Sequence, residues 1–297
     1  MKPKKKVIHL IPVDATGGVE LGVKIAQKEL KNKINYKAKF IYNLKDNLLI
    51  RLIKCLIVIY KLYVLSKKEE KIIIISSLWM PHLSAFILKT LTKNFFWISF
   101  LHNSKYPSLF NKLICTKLTK FSDDKIFDSL STSKSYFKKN YKNSKIVNYF
   151  FKSVKYPKFK IKNWNKREYD FIIVARNIKS KGFFELEQFI QNWMLKYKSK
   201  PKVLIITNNI KKKFNLSKLK NTFYKSCDIN FKTNISNKKV LEYLSKSKIY
   251  ICLSHHEGFG ITILESLLSG CFVLTTNVGE QQRYLYPNRR LILDNKA

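Results

Sequence analysis

Apolar residues follow two rhythms along the chain. Short runs rich in Val, Ile, Phe and Tyr alternate with longer stretches whose apolar positions recur at helical spacing. The short runs predict strands at residues 7–12, 38–42, 71–76, 95–100, 125–127 and 145–148. Helices are predicted between them at 18–31, 47–66, 81–92, 107–120 and 133–141. Nearly continuous apolar strands, each followed by a helix, are the pattern of a parallel sheet covered on both faces. Residues 152–168 (KSVKYPKFKIKNWNKRE) break the rhythm; basic, aperiodic and holding Pro157, they predict a linker. The rhythm then resumes, with strands at 169–175, 202–207, 229–232, 248–253 and 271–275 and helices at 183–197, 236–246 and 261–269. The pattern therefore predicts an α/β protein with two doubly wound domains, 1–151 and 169–297, facing a cleft, with ligands beyond the C-terminal ends of the strands.

Length and apolar content change little: 297 residues, 45% of them apolar, suit about two domains with a sizeable core. Charge changes more, because 58 Lys+Arg against 19 Asp+Glu leave a net +39. A polyanion partner and a compositional background compete to explain it. Of the basic residues 52 are Lys and 6 Arg; residues 1–150 carry 29 basic and 9 acidic groups, and 151–297 carry 29 and 10. A nucleic-acid reader concentrates charge on one face and uses Arg for bidentate base contacts. The even, Lys-dominated excess predicts no specific nucleic-acid partner. It is read as partly background and partly a surface facing an anionic membrane, where each Lys is worth about 1 kcal/mol.

The longest apolar stretch, 48–65, is interrupted by Arg51, Lys54 and Lys61, which argues against a membrane-spanning helix. The apolar run 7–13 contains His9 and is too short for a signal-peptide core. Cys55, Cys115, Cys227, Cys252 and Cys271 form no CxxC pair, which predicts reduced thiols and no zinc site. Together these predict a cytoplasmic protein, peripheral on the inner face of the plasma membrane. On the helix at 47–66, Arg51, Lys54, Lys61 and Lys68 fall within about 100° of one another, and nearly all the rest is Leu, Ile and Val. One reading is a core helix with a narrow solvated stripe, which the fold favours because it needs a helix there. The other is a helix seated at a membrane interface.

The segment richest in chemistry is 254–270, SHHEGFGITILESLLSG. Gly258 and Gly260 permit a tight turn after a strand, and a helix starts near Ile261. Free N–H groups at such a start hold phosphate. Glu257 precedes the helix and Glu265 lies within it. Carboxylates beside a phosphate site suit the hydroxyls of a ribose and a sugar. Equally, Glu257 reads as a helix-entry carboxylate and Glu265 as a surface charge. Adjacent His255, His256 and Glu257 point apart and no His-x3-His pair exists, so no metal site is expected.

EGFGITILE (257–265) resembles the Glu-x7-Glu motif of the retaining glycosyltransferases of family 4, within glycosyl transferases group 1, which have the GT-B fold. The segment 169–190 resembles the opening of that family's C-terminal domain, with Arg176 and Lys181 at positions that reach the donor diphosphate, followed by Gly182. DATGGVE (14–20) resembles the glycine-rich loop after the first strand, with Gly17 and Gly18 as its glycines. His102, just past the strand at 95–100, matches a His near the sugar; alone, a His there also reads as a hydrogen-bonded core residue. Asn148 matches the Asn closing the N-terminal domain, although Tyr149 replaces the usual Gly. Two departures stand out. The turn at 206–209 lacks the family's Gly, and the chain ends at Ala297, where relatives generally continue, so a short C-terminal domain is expected.

The resemblance implies retaining transfer of a sugar, of hexosyltransferase type, from a nucleotide-sugar to an acceptor hydroxyl. The acceptor is expected to be a glycan or lipid-linked, as in surface polysaccharide or lipopolysaccharide synthesis. Arg176 and Lys181, with the backbone of Gly258, Phe259, Gly260 and Ile261, would stabilise the leaving diphosphate. Glu265 would bind the ribose, Glu257 the donor sugar, and His102 would stand near the reacting centre. There is no D-x-D motif, and no metal or other cofactor is expected. A catalytically inactive scaffold of the same fold and a polyanion-binding protein remain as alternatives.

Overall fold

A computed structural model describes residues 6–14, 18–68, 72–102, 106, 108–137, 144–147, 161–208, 227–279, 285 and 290–293. The chain divides into two compact units, Met1–Val154 and Lys155–Ala297. Predicted features at Gly17, Asn148 and Asn209 lie outside the described residues.

Among the described residues the first unit holds six parallel strands: β1 (Lys6–Val13), β2 (Asn35–Tyr42), β3 (Ile72–Ser77), β4 (Phe95–Leu101), β5 (Asp124–Phe127) and β6 (Lys145–Ile146). Their order is β2-β1-β3-β4-β5-β6. From β1 the chain steps to β2 on one side and then to β3 on the other, which makes the β1/β3 boundary a topological switch point. The helices are α1 (Gly18–Leu30), α2 (Leu48–Lys68), α3 (Trp79–Leu91), α4 (Leu109–Lys117) and α5 (Leu130–Phe137). β1 is buried from residue 7 to 12, as its unbroken apolar run requires. Leu10, Ile72, Ile74 and Trp97 of the sheet pack against Cys55, Val58, Ile59 and Leu62 of α2 and Met80, Ala85 and Leu88 of α3.

The second unit repeats the plan with β7 (Tyr169–Val174), α6 (Phe183–Tyr197), β8 (Lys202–Thr207), β9 (Asp228–Thr233), α7 (Asn237–Ser245), β10 (Ser247–Cys252), α8 (Ile261–Leu268), β11 (Phe272–Thr276) and β12 (Arg290–Leu293). All paired strands are parallel, in the order β12-β11-β10-β7-β8-β9, with the switch point between β7 and β10. One face of the sheet is covered by Phe183, Leu186 and Ile190 of α6, the other by Val240, Leu241 and Leu244 of α7 and Ile263 of α8.

Several expectations are corrected. α3 starts two residues before Pro81, because a proline needs no N–H in a first turn. α5 starts at Leu130 rather than 133: the Ser129 hydroxyl accepts from the N–H of Thr132 and caps it. The strand β12 has no counterpart in the predicted pattern, since only three apolar residues mark it. The segment read as a linker touches the second unit near its end. Arg167 donates to the carbonyls of Ser247 and Gly270, both at 2.7 Å. The solvated-stripe reading of α2 fails as well: its outward side is lined by Leu49, Ile53, Leu56, Ile57 and Tyr60, all exposed. Among the described residues no helix is long and apolar enough to cross a membrane. The five cysteines are buried free thiols.

Candidate active site

At the switch point of the second sheet, β7 and β10 lie side by side and release two loops, 175–182 and 253–260, from their C-terminal ends. Gly182 holds φ at +71°, and a Cβ there would lie 2.0 Å from the carbonyl oxygen of Leu253. Only a residue without a side chain lets the turn Lys179–Lys181 rest on the second loop. The His255 N–H then donates to the Ser180 carbonyl at 2.9 Å. The same approach brings Lys181 Nζ to 2.5 Å from Glu257 Oε1. The Ser254 hydroxyl donates to that oxygen at 2.7 Å, and His255 Nε2 pairs with Glu185 at 2.6 Å. Glu257 is thus an anchored carboxylate rather than a loose helix-entry charge.

The loop ends at Gly260, whose φ of +79° turns the chain into α8; being glycine, this cap residue puts no side chain over the helix start. Glu265 is only 4% exposed, so the surface-charge reading does not hold. Asn237, at the start of α7, donates its amide to Glu265 Oε1 at 2.8 Å. Burial pushes the Glu265 carboxyl up to about 7, against the lowering effect of that hydrogen bond. Arg176 is exposed just beyond β7. Its loop is held by Asn208, whose side chain accepts the Asn177 N–H at 3.0 Å in the turn that lacks the expected glycine.

In the first unit, His102 follows β4 and is buried. Its Nε2 lies 2.9 Å from the Ser77 hydroxyl, which in turn lies 2.7 Å from His9 Nε2. His9 Nδ1 meets the Tyr36 hydroxyl at 2.6 Å, and Asp128 stands 3.7 Å from His102 Nδ1. His102 is therefore both a hydrogen-bonded interior residue and a residue at the C-terminal edge of its sheet. Gly18 opens α1 beyond β1, at the same edge.

The structure brings Lys181 and Glu257 into direct contact, on the loop that carries Gly258, Phe259 and Gly260 into α8. Gly18 and His102 belong to the other unit. Sequence reasoning missed Ser254, Asn237, Asn208 and the Ser77–His9–Tyr36 chain. No spacing rule marks them, because each reaches its partner through the fold. Among the described residues no group of three or more His, Cys, Asp or Glu could hold a metal ion.

Two doubly wound parallel sheets with these switch points make the protein one of GT-B fold. Residues 155–296 match the family model described as Glycosyl transferases group 1. Among solved structures, sucrose-phosphate synthase from Thermosynechococcus elongatus is similar with a TM-score of 0.71 at 14% identity, over 99% of this chain and 87% of that one. HepE of Anabaena, in complex with UDP, is similar with a TM-score of 0.65 at 13% identity, over 97% and 85%. The lipopolysaccharide outer core galactosyltransferase WaaB gives 0.63 at 14% identity, over 94% and 82%. No curated protein sequence matches the chain.

Proposed function

We propose that this protein is a glycosyltransferase that moves a hexosyl group from a nucleotide-sugar to an acceptor hydroxyl with retention at the anomeric carbon. The observation that carries the reading is the Gly182-dependent contact of Lys181 with Glu257 at the β7/β10 switch point, inside the segment that matches the family model. In the transfer the anomeric carbon–phosphate oxygen bond breaks and its electron pair leaves with the diphosphate. The acceptor oxygen bonds to the same face of that carbon, and its proton passes to the departing phosphate. Lys181, Arg176 and the backbone of residues 258–261 bear the growing negative charge. Glu257 accepts from a donor-sugar hydroxyl and Glu265 from the ribose, both by positioning rather than covalent attack. In the first unit, Gly17 and Gly18 are assigned to donor binding and His102 to a catalytic role. Protein cations supply the charge that a metal would otherwise bring, so the reaction needs none. The acceptor is a glycan or lipid-linked glycan of the cell surface, met at the inner face of the plasma membrane.

The test is thermal melting with a panel of nucleoside diphosphates and nucleotide-sugars, on the native protein and on Lys181→Ala and Glu265→Ala. A ligand bound only by the folded state at a hundred times its Kd adds about 2.7 kcal/mol and raises Tm. A shift with one nucleotide, lost in both variants, is expected. A folded protein that responds to none of them overturns the reading.

A further inference from the structure

Outside the stripe of Arg51, Lys54, Lys61 and Lys68, α2 is mostly apolar, yet only part of that apolar surface is covered. Cys55, Val58, Ile59, Leu62 and Ser66 are buried on one side. Leu49, Leu56 and Tyr60 are 67%, 62% and 68% exposed on the other, with Ile53 and Ile57 between them. At about 100° and 1.5 Å per residue these five share one face and run along it for about 16 Å. Apolar side chains gathered in this way, rather than scattered singly, mark an interaction surface.

The occupant is named by charge. α2 contains no Asp or Glu. By helical spacing Lys61 flanks the apolar face; Lys37 and Lys39 share one face of the edge strand β2 with Ile41, which packs in the same core cluster as Cys55, Val58, Ile59 and Leu62 of α2. The Lys39 amine is held below its ordinary range by burial and then by the charges of Lys61 and Lys37, so Lys39 feels both. A bare apolar strip edged by mutually repelling lysines, with Tyr60 among its residues, is the pattern of a helix lying in a membrane interface. We propose that the outer face of α2 docks this protein on a bilayer rich in anionic lipid, its apolar side chains entering the headgroup boundary and Lys37, Lys39 and Lys61 meeting the phosphates. The net +39 draws the whole chain toward such a surface, and α2 decides which side lands. The inference rests on these surface residues and holds whether or not the donor-site reading does.

Co-sedimentation of the full chain with vesicles tests it. Binding is expected to vesicles of phosphatidylethanolamine with phosphatidylglycerol and not to phosphatidylcholine alone. Leu49→Gln/Leu56→Gln/Tyr60→Gln should weaken it by more than about tenfold. Lys37→Gln/Lys39→Gln/Lys61→Gln should weaken it by about fivefold per lysine. Lys196→Gln/Lys200→Gln/Lys238→Gln, which removes as much charge from the second unit, should leave it nearly unchanged. Unchanged Tm in each variant reports an intact fold. Equal loss from both lysine triples, or full binding by the apolar triple, overturns the proposal. So does a dimer in sedimentation velocity that the apolar triple dissociates, because a second copy would then cover α2.

Discussion

Glu265 is an acid placed where its charge is costly. Its carboxyl titrates near 7 when folded and near 4.5 when unfolded, so between those values the native state holds a proton that the unfolded chain releases. Its contribution is therefore greatest below 4.5 and is lost as pH climbs through 7, by about 3 kcal/mol. Glu265→Gln keeps an acceptor for Asn237 and removes the charge. At pH 8 it should melt higher than the native protein, whereas at pH 5 the two should nearly coincide, and its nucleotide-induced Tm shift should shrink. A variant that melts lower at both pH values would contradict this account. Retaining a destabilising buried acid is what a binding role predicts, since packing alone is better served by an amide.

At the scale of elements, α2 gives the sharpest contrast. Leu62→Ala empties a position only 3% exposed in the core under the helix and should cost about 2–5 kcal/mol. Leu56→Ala, less than two turns away on the exposed side, should stay within about 0.5 kcal/mol. Urea denaturation of both measures the difference. The same helix shows what the sequence could and could not tell. Its existence and length were legible from the apolar run, as were eleven of the twelve strands among the described residues, because buried parallel strands and their crossover helices carry strong local patterns. Which part of α2 is covered was not legible: apolar residues fill the rest of the circumference on either side of the basic stripe, and the periodicity does not say which of them face the sheet. In the candidate site, Gly182, Lys181, Glu257 and Glu265 were legible as a motif. Asn237 and Ser254 were not, since their roles depend on α7 and β10 arriving beside α8.

The molecule as a whole carries two cores with opposite responses to acid. His9 and His82 of the first unit are pushed down to about 3, by burial first and then by neighbouring histidines. Both stay neutral when folded, but the unfolded chain takes up their protons below about 6.5. The first unit therefore loses stability as pH falls, by up to about 1.4 kcal/mol per pH unit for each histidine. Glu265 moves the second unit the other way over pH 7 to 5. Calorimetry should resolve two transitions that shift in opposite directions on acidification across this range, and a bound nucleoside diphosphate should raise the second unit's more than the first's. Two transitions that move together would refute it. The topology of α2 carries one last consequence. It leaves the C-terminal end of β2 and enters the N-terminal end of parallel β3, so its axis runs back along the strands. A bilayer docked on its outer flank, as proposed, would lie alongside the strands, so the strand ends that carry Gly18 and His102 would face along the membrane plane. On that proposal, encounter with a lipid-borne hydroxyl would be lateral diffusion in a plane, with a rate set by the lipid's abundance per unit area rather than per unit volume.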